Sequence, residues 1–224
     1  MCLRFIFCTI LLLVNAFVSA QELVIVKDYN EYKASFAANN KLELQEIAKQ
    51  IPNIKLDIKY ATTNNFSGFA VYKQAKAFAR KPVVDALKQV QKELNSIDLG
   101  LKIFDAYRPY TVTVKFWKVT PQSKKEFVAN PKTGSRHNRG CAVDLTLINL
   151  ETGAELEMPT PYDSFAREAS PTYENISPKQ KLNRNLLINI MQKNGFKVIK
   201  NEWWHYDFIG WENYPIMDIP FEKL

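Results

Sequence analysis

The chain has 224 residues, 46% of them hydrophobic, and its 14 Phe, 10 Tyr and 4 Trp can fill one well-buried core. With 7 glycines it is neither collagen-like nor linker-rich, and it has no glycine-rich loop. The net charge of +7 is spread along the chain with no nucleic-acid-binding motif, so a nucleic-acid partner is not expected.

Residues 1–20 read as a signal peptide. Arg4 gives a short positive start, Phe5 to Val18 a mostly apolar run, and Val18-Ser19-Ala20 a small-residue cleavage site. The run is shorter than the ~20 apolar residues of a spanning helix, so no stable membrane anchor is expected after cleavage. An uncleaved signal anchor is the alternative. Cleavage leaves residues 21–224 as one domain with 29 basic and 23 acidic residues, a net charge of +6 and Cys141 as sole cysteine. No internal disulfide can form, so the core alone must hold the fold. Export to the periplasm is expected, with secretion as the other outcome. A basic exported chain also suits weak association with anionic envelope polymers.

Residues 41–50 read as a helix stopped by Pro52, and Leu56 to Tyr60 alternates like a strand before the polar loop of residues 61–68. Residues 82–95 place Val83, Val84, Leu87, Val90, Gln91 and Leu94 at helical spacing. Leu99, Leu101 and Ile103 alternate along a strand that ends at Asp105-Ala106-Tyr107-Arg108-Pro109. A helix is expected over 111–119, a long loop over 120–140, a second alternating strand over 141–149 and a turn at 151–154. Residues 178–194 form a helix with Leu182, Leu186, Leu187, Ile190 and Met191 on one face and Gly195 just past its end. Strands at 196–199 and about 204–208 follow, joined tightly by Lys200-Asn201 and therefore antiparallel. The fold class is α+β, with a small, mainly antiparallel sheet flanked by helices.

The chain has two histidines, His137 and His205, so any His-based metal site must use both. His137 lies in Ser135-Arg136-His137-Asn138-Arg139-Gly140-Cys141-Ala142-Val143-Asp144, and His205 closes Glu202-Trp203-Trp204-His205. Two imidazoles and a carboxylate make an open catalytic zinc site, and a glutamate that does not bind the metal can move the proton. Spacing alone also fits a turn-capping Asp144 and an ordinary loop histidine. Glu202 and His205 can share one side only if their strand bends or bulges, because residues i and i+3 of a flat strand face opposite ways. The two tryptophans serve equally as site walls or as core. Arg108, at a strand end, can stabilise the oxyanion of amide hydrolysis or be a surface turn residue. Cys141 reads as a small buried residue, with a fourth-ligand or redox role as the alternative.

Ser-x-His-x-x-Gly-x-Ala-x-Asp followed some sixty residues later by Glu-x-Trp-His resembles the zinc D-alanyl-D-alanine peptidases, a group that shares its fold with the Hedgehog signalling domain. Lys59-Tyr60-Ala61-Thr62, Asp105 to Pro109, Ser135 to Leu147, Thr160-Pro161-Tyr162-Asp163 and Glu202 to Tyr206 look like its D-alanyl-D-alanine dipeptidase branch, which includes the vancomycin-resistance enzyme. The resemblance runs from about residue 55 to the C-terminus. It implies one Zn2+ per chain on His137, Asp144 and His205, with Glu202 as general base and Arg108 on the carbonyl oxygen. It further implies that Asp163 pairs with the substrate ammonium, and that Ser135 and Tyr60 contact the dipeptide. The expected activity is hydrolysis of D-Ala-D-Ala to D-alanine, linked to peptidoglycan turnover. A D,D-carboxypeptidase or endopeptidase acting on peptidoglycan, and an inactive zinc-binding module, are the alternatives. Three features depart from the resistance-type enzyme: the leader, a shorter segment between Arg108 and Ser135, and a partial match after Asp163.

Overall fold

In the computed structural model, which describes residues 23–224, the alternating stretches pair into one central sheet. The signal peptide assigned to residues 1–20 lies outside the described residues. In chain order the elements are β1 (Ile25–Val26), α1 (Tyr29–Ala38), β2 (Leu44–Glu46), α2 (Ile47–Gln50), β3 (Lys55–Leu56), β4 (Phe78–Arg80) and α3 (Lys81–Asn95). They continue with β5 (Leu99–Asp105), α4 (Tyr110–Val119), β6 (Ala142–Asn149), α5 (Pro178–Lys193), β7 (Phe196–Ile199), β8 (Glu202–Phe208) and β9 (Ile216–Met217). The sheet runs β3-β5-β6-β8-β7, antiparallel except for the parallel β3–β5 pair. Two short pairs, β2–β4 and β1–β9, lie outside it. This is the expected α+β architecture with a mainly antiparallel sheet. No helix among the described residues is long and apolar enough to cross a membrane.

Helix α3 follows its periodicity. Pro82 occupies its first turn, and Val83, Val84, Leu87, Val90, Gln91 and Leu94 are all buried. Each apolar member contributes about 1.5–3 kcal/mol by leaving water. The buried Gln91 is satisfied, its Oε1 accepting from Leu101 N–H at 2.9 Å.

Three expectations need correction. Residues 41–50 are not one helix: Asn40–Leu42 form a 3-10 turn, Leu44–Glu46 pair with β4, Ile47 N–H donates to Ala77 O, and only Ile47–Gln50 is α-helical. Cross-strand pairing here overrides local helix propensity. The strand expected over 56–60 ends at Leu56, because a 3-10 turn at Lys59–Ala61 swings Tyr60 into an aromatic cluster with Phe66, Tyr72 and Phe116. In α5 the inward face is rotated. Leu182 is 69% exposed, whereas Asn183 and Arg184 are buried, donating to the carbonyls of Glu157 and Tyr173 in the covering loop. The α5 start is a capping box, Ser177 and Gln180 bonding reciprocally.

Two register shifts shape the sheet where it matters. Between Ile103 and Asp105, β5 gains one residue relative to β6, so Asp105 comes opposite Asp144. Between Val198 and Ile199, β7 steps from Tyr206 directly to Glu202 on β8, leaving Trp203 to His205 as a bulge. Bulges of this kind re-aim side chains.

Candidate active site

Asp144 on β6 pairs directly with His205 on β8, which puts both side chains on one face of the sheet. His137 arrives from the side, on a 3-10 turn (His137–Arg139) that ends at Gly140 with φ 70°. That left-handed turn needs glycine, and a Cβ there would also run into the Leu44 side chain. Asn138, fully buried, stitches the turn in place: its Oδ1 accepts from Ser135 N–H, and its Nδ2 donates to Arg108 O and Thr113 Oγ1, each at 2.8 Å. The Arg108 N–H in turn donates to His137 O.

Three donor atoms converge. His137 Nε2, His205 Nδ1 and Asp144 Oδ1 are separated by 3.1, 3.0 and 3.4 Å. A tetrahedral metal with bonds of about 2.0–2.1 Å spaces its ligand atoms by about 3.3 Å, so this triangle fits one. The other ring nitrogens are committed. His137 Nδ1 donates to Ala106 O at 2.7 Å, and His205 Nε2 donates to Asp207 Oδ1 at 2.9 Å, which leaves the inward nitrogens free to bind a cation. Asp144 Oδ1 is buried with no well-aligned hydrogen bond, while Oδ2 accepts from Tyr162. An orphaned carboxylate oxygen between two imidazoles fits a place in a cation's ligand set. Burial works against charge on His205, but the carboxylates of Asp144 and Asp207 beside it outweigh burial and push its pKa up to about 10. The carboxylates thus demand a positive charge at this point.

Glu202 enters through the β8 bulge, with Oε2 3.8 Å from His205 Nδ1. Burial pushes its carboxyl up to about 7, with His205 opposing. Arg108 is buried, and its Nε and Nη2 donate to Asp105 Oδ2 at 2.9 and 2.7 Å. Its guanidinium also lies 5.0 and 5.3 Å from the ring centres of Phe116 and Tyr60. Burial opposes its charge, but Asp105 beside it carries the balance and holds Arg108 well above its ordinary value. Asp105 is itself braced by Tyr72, whose hydroxyl donates to Oδ1.

Asp163 sits at φ 62°, a left-handed conformation that carries strain for a residue other than glycine. Its loop is pinned by Trp203 Nε1 donating to Thr160 Oγ1 and by the Tyr162 hydroxyl on Asp144. Asp163 Oδ1 accepts from the Tyr60 hydroxyl at 2.9 Å, whereas Oδ2 is buried without a partner. Burial, then the nearby Asp144, raise its pKa well above the usual carboxylate range. Ser135 lines the cavity, its Oγ accepting from His137 N–H at 3.2 Å.

All eight residues singled out in the sequence line one cavity of about 210 Å3. Tyr60 is there as a partner of Asp163 as much as a wall. The bulge that the Glu202–His205 spacing required is present. Sequence reasoning missed Asp207, Asp105, Asn138 and Tyr162, which orient the others. Asp207 was readable in principle, two residues beyond His205 on the same strand face. Asp105 was not, because a single-residue bulge decides where it points. Cys141 is fully buried, and burial pushes its thiol up to about 12, so it packs as a small residue.

The family model described as D-ala-D-ala dipeptidase matches residues 40–221. The chain is similar to a D-alanyl-D-alanine dipeptidase of Escherichia coli, 33% identical over 175 residues that cover 78% of this chain and 89% of the relative. A D-alanyl-D-alanine dipeptidase of Enterococcus faecalis is 31% identical over 185 residues, covering 75% and 91%. Among solved structures, the LdcB LD-carboxypeptidase overlaps 61% of each chain at 20% identity and a TM-score of 0.40. By the extent of the family match and the identity of its relatives, this chain belongs to the D-ala-D-ala dipeptidase family of metallopeptidases.

Proposed function

We propose that this protein is an exported zinc dipeptidase that hydrolyses D-Ala-D-Ala to D-alanine. One observation carries the reading: two buried carboxylate oxygens without hydrogen bonds, Asp144 Oδ1 and Asp163 Oδ2, belong to residues lining the same small cavity. The first suits a metal held with His137 and His205. The second suits an ammonium, which a free dipeptide has and an internal peptide bond lacks. Neutral imidazoles with a carboxylate suit zinc. Zinc bound there supplies a Lewis acid for the scissile carbonyl and activates water at neutral pH.

The chain's own residues then divide the work. Asp163, oriented by Tyr60, holds the substrate ammonium and fixes how deep the dipeptide sits. Arg108, locked by Asp105 and two aromatic rings, presents a charge that needs no rearrangement as the oxyanion develops. Glu202, with a carboxyl near 7, can take a proton from water and return it to the departing amine. The cavity is smaller than the roughly 300–1,000 Å3 of drug-sized sites, which favours a short substrate. The leader motif supports export to the periplasm, where recovery of dipeptide released from peptidoglycan is the fitting task.

The test is zinc analysis joined to hydrolysis assays of D-Ala-D-Ala, L-Ala-L-Ala and N-acetyl-D-Ala-D-Ala. Zinc-dependent cleavage of the first and neglect of the other two is expected. Equal cleavage of the N-acetylated compound would overturn the role given to Asp163.

A further inference from the structure

The cavity does not stop at the metal-ligand triad. On its β8–β7 side it shares Arg136, Ile199 and Asp207 with a second depression of about 660 Å3, which continues past Lys197, Lys200 and Trp211. Charge is laid out in order across the sheet. Asp163 lies toward β5 and β6, where its neighbour Tyr162 stacks on Phe104 and bonds Asp144. Arg136 lies toward β8 and β7, its Nε 3.5 Å from Asp207 Oδ2, the carboxylate that orients His205. The triad stands between them. A dipeptide whose ammonium meets Asp163 therefore points its carboxylate toward Arg136.

Arg136 is built to receive it. Its guanidinium lies 4.6 Å from the centre of the Trp211 ring, which together with Asp207 fixes the plane of the group. Half of the side chain is exposed, and its terminal nitrogens make no hydrogen bond among the described residues. A guanidinium in that state offers a two-pronged donor to a carboxylate. Beyond it, Lys197 faces the same side of the sheet as Asp207, with which it pairs across strands. Among the described residues neither Lys197 nor Lys200 forms an ion pair; of the two acids lining the depression, Asp207 is engaged with His205 and Arg136, and Glu212 is exposed.

We propose that Arg136 binds the α-carboxylate of the residue released by cleavage, and that the trough behind it accepts an acidic side chain on that residue through Lys197 and Lys200. The inference rests on the dipeptidase reading above and extends the substrate class to dipeptides ending in aspartate or glutamate.

The experiment is steady-state hydrolysis by the zinc-loaded protein of D-Ala-D-Ala, its C-terminal amide and D-Ala-D-Glu. Arg136→Gln should raise KM for both free acids about tenfold, as for loss of a charged hydrogen bond, while kcat and KM for the amide hold within about twofold. Arg136→Lys should recover part of the loss. Lys197→Ser with Lys200→Ser should lower kcat/KM for D-Ala-D-Glu about tenfold more than for D-Ala-D-Ala. Equal effects of Arg136→Gln on acid and amide, or loss of zinc from that variant, would assign Arg136 to supporting Asp207 and His205 and overturn the proposal. So would failure to cleave D-Ala-D-Glu. If the wild-type protein cleaves no dipeptide at all, the dipeptidase reading fails first and this inference falls with it.

Discussion

The two ends of the cavity are built by different means. At the histidine end paired backbone sets two of the three donor atoms, Asp144 and His205 facing each other across β6 and β8, and a turn held by Asn138 brings His137 to within 3.1–3.4 Å of them. The Asp163 end is set by side chains alone. A loop from Thr160 to Asp163 is held by bonds from Trp203, Tyr162 and Tyr60, with Asp163 in a left-handed conformation. Strand pairing fixes atoms to tenths of an ångström and tolerates little change. A loop tied by side-chain bonds can be re-aimed by single substitutions, so the Asp163 end is the easier of the two to change.

The contrast breaks at its strongest point with His205→Ala. Metal content and hydrolysis should both collapse, read by zinc analysis and by D-alanine release, because a ligand triangle with one corner missing no longer closes. Glu202→Ala should separate the two readouts. Zinc stays bound, and turnover falls by about 10²–10⁴-fold for a missing general base. Unchanged turnover in that variant would sink the mechanism. Asp163→Asn should be milder, raising KM for D-Ala-D-Ala about tenfold to a hundredfold with zinc content intact. If zinc is lost instead, the two ends are not independent. The smallest effect is expected at Cys141, just before β6. Its thiol is fully buried and pushed up to about 12, so in the chain of residues 21–224 at pH 8 iodoacetamide should label the unfolded protein and spare the folded one. Rapid labelling of folded protein would show that the sheet end opens.

Much of the cavity lining was legible because it sits in short strings: His137, Asp144, His205, Glu202 and Arg108 stand out by residue type and company, and Asp163 through the family resemblance. Helix α3 was legible because six inward positions keep helical spacing without interruption. What escaped depended on partners distant in sequence. Leu44–Glu46 became a strand because Phe78–Arg80 was there to pair with it. Leu182 turned to solvent because the loop over α5 offered carbonyls to Asn183 and Arg184. Asp207, Asp105 and Asn138 carry no signature of their own, since their task is to hold other side chains.

The bulge in β8 has a consequence for how this enzyme can change over evolutionary time. Because Glu202 and His205 share a side only through the extra residues between them, the number of residues there is as constrained as their identity. Adding or removing a residue between them would reset the bulge, and with it the 3.8 Å placement of Glu202 Oε2 against His205 Nδ1, even with both side chains still encoded. Divergence at this strand should therefore proceed by substitution, with insertions and deletions confined to the loops.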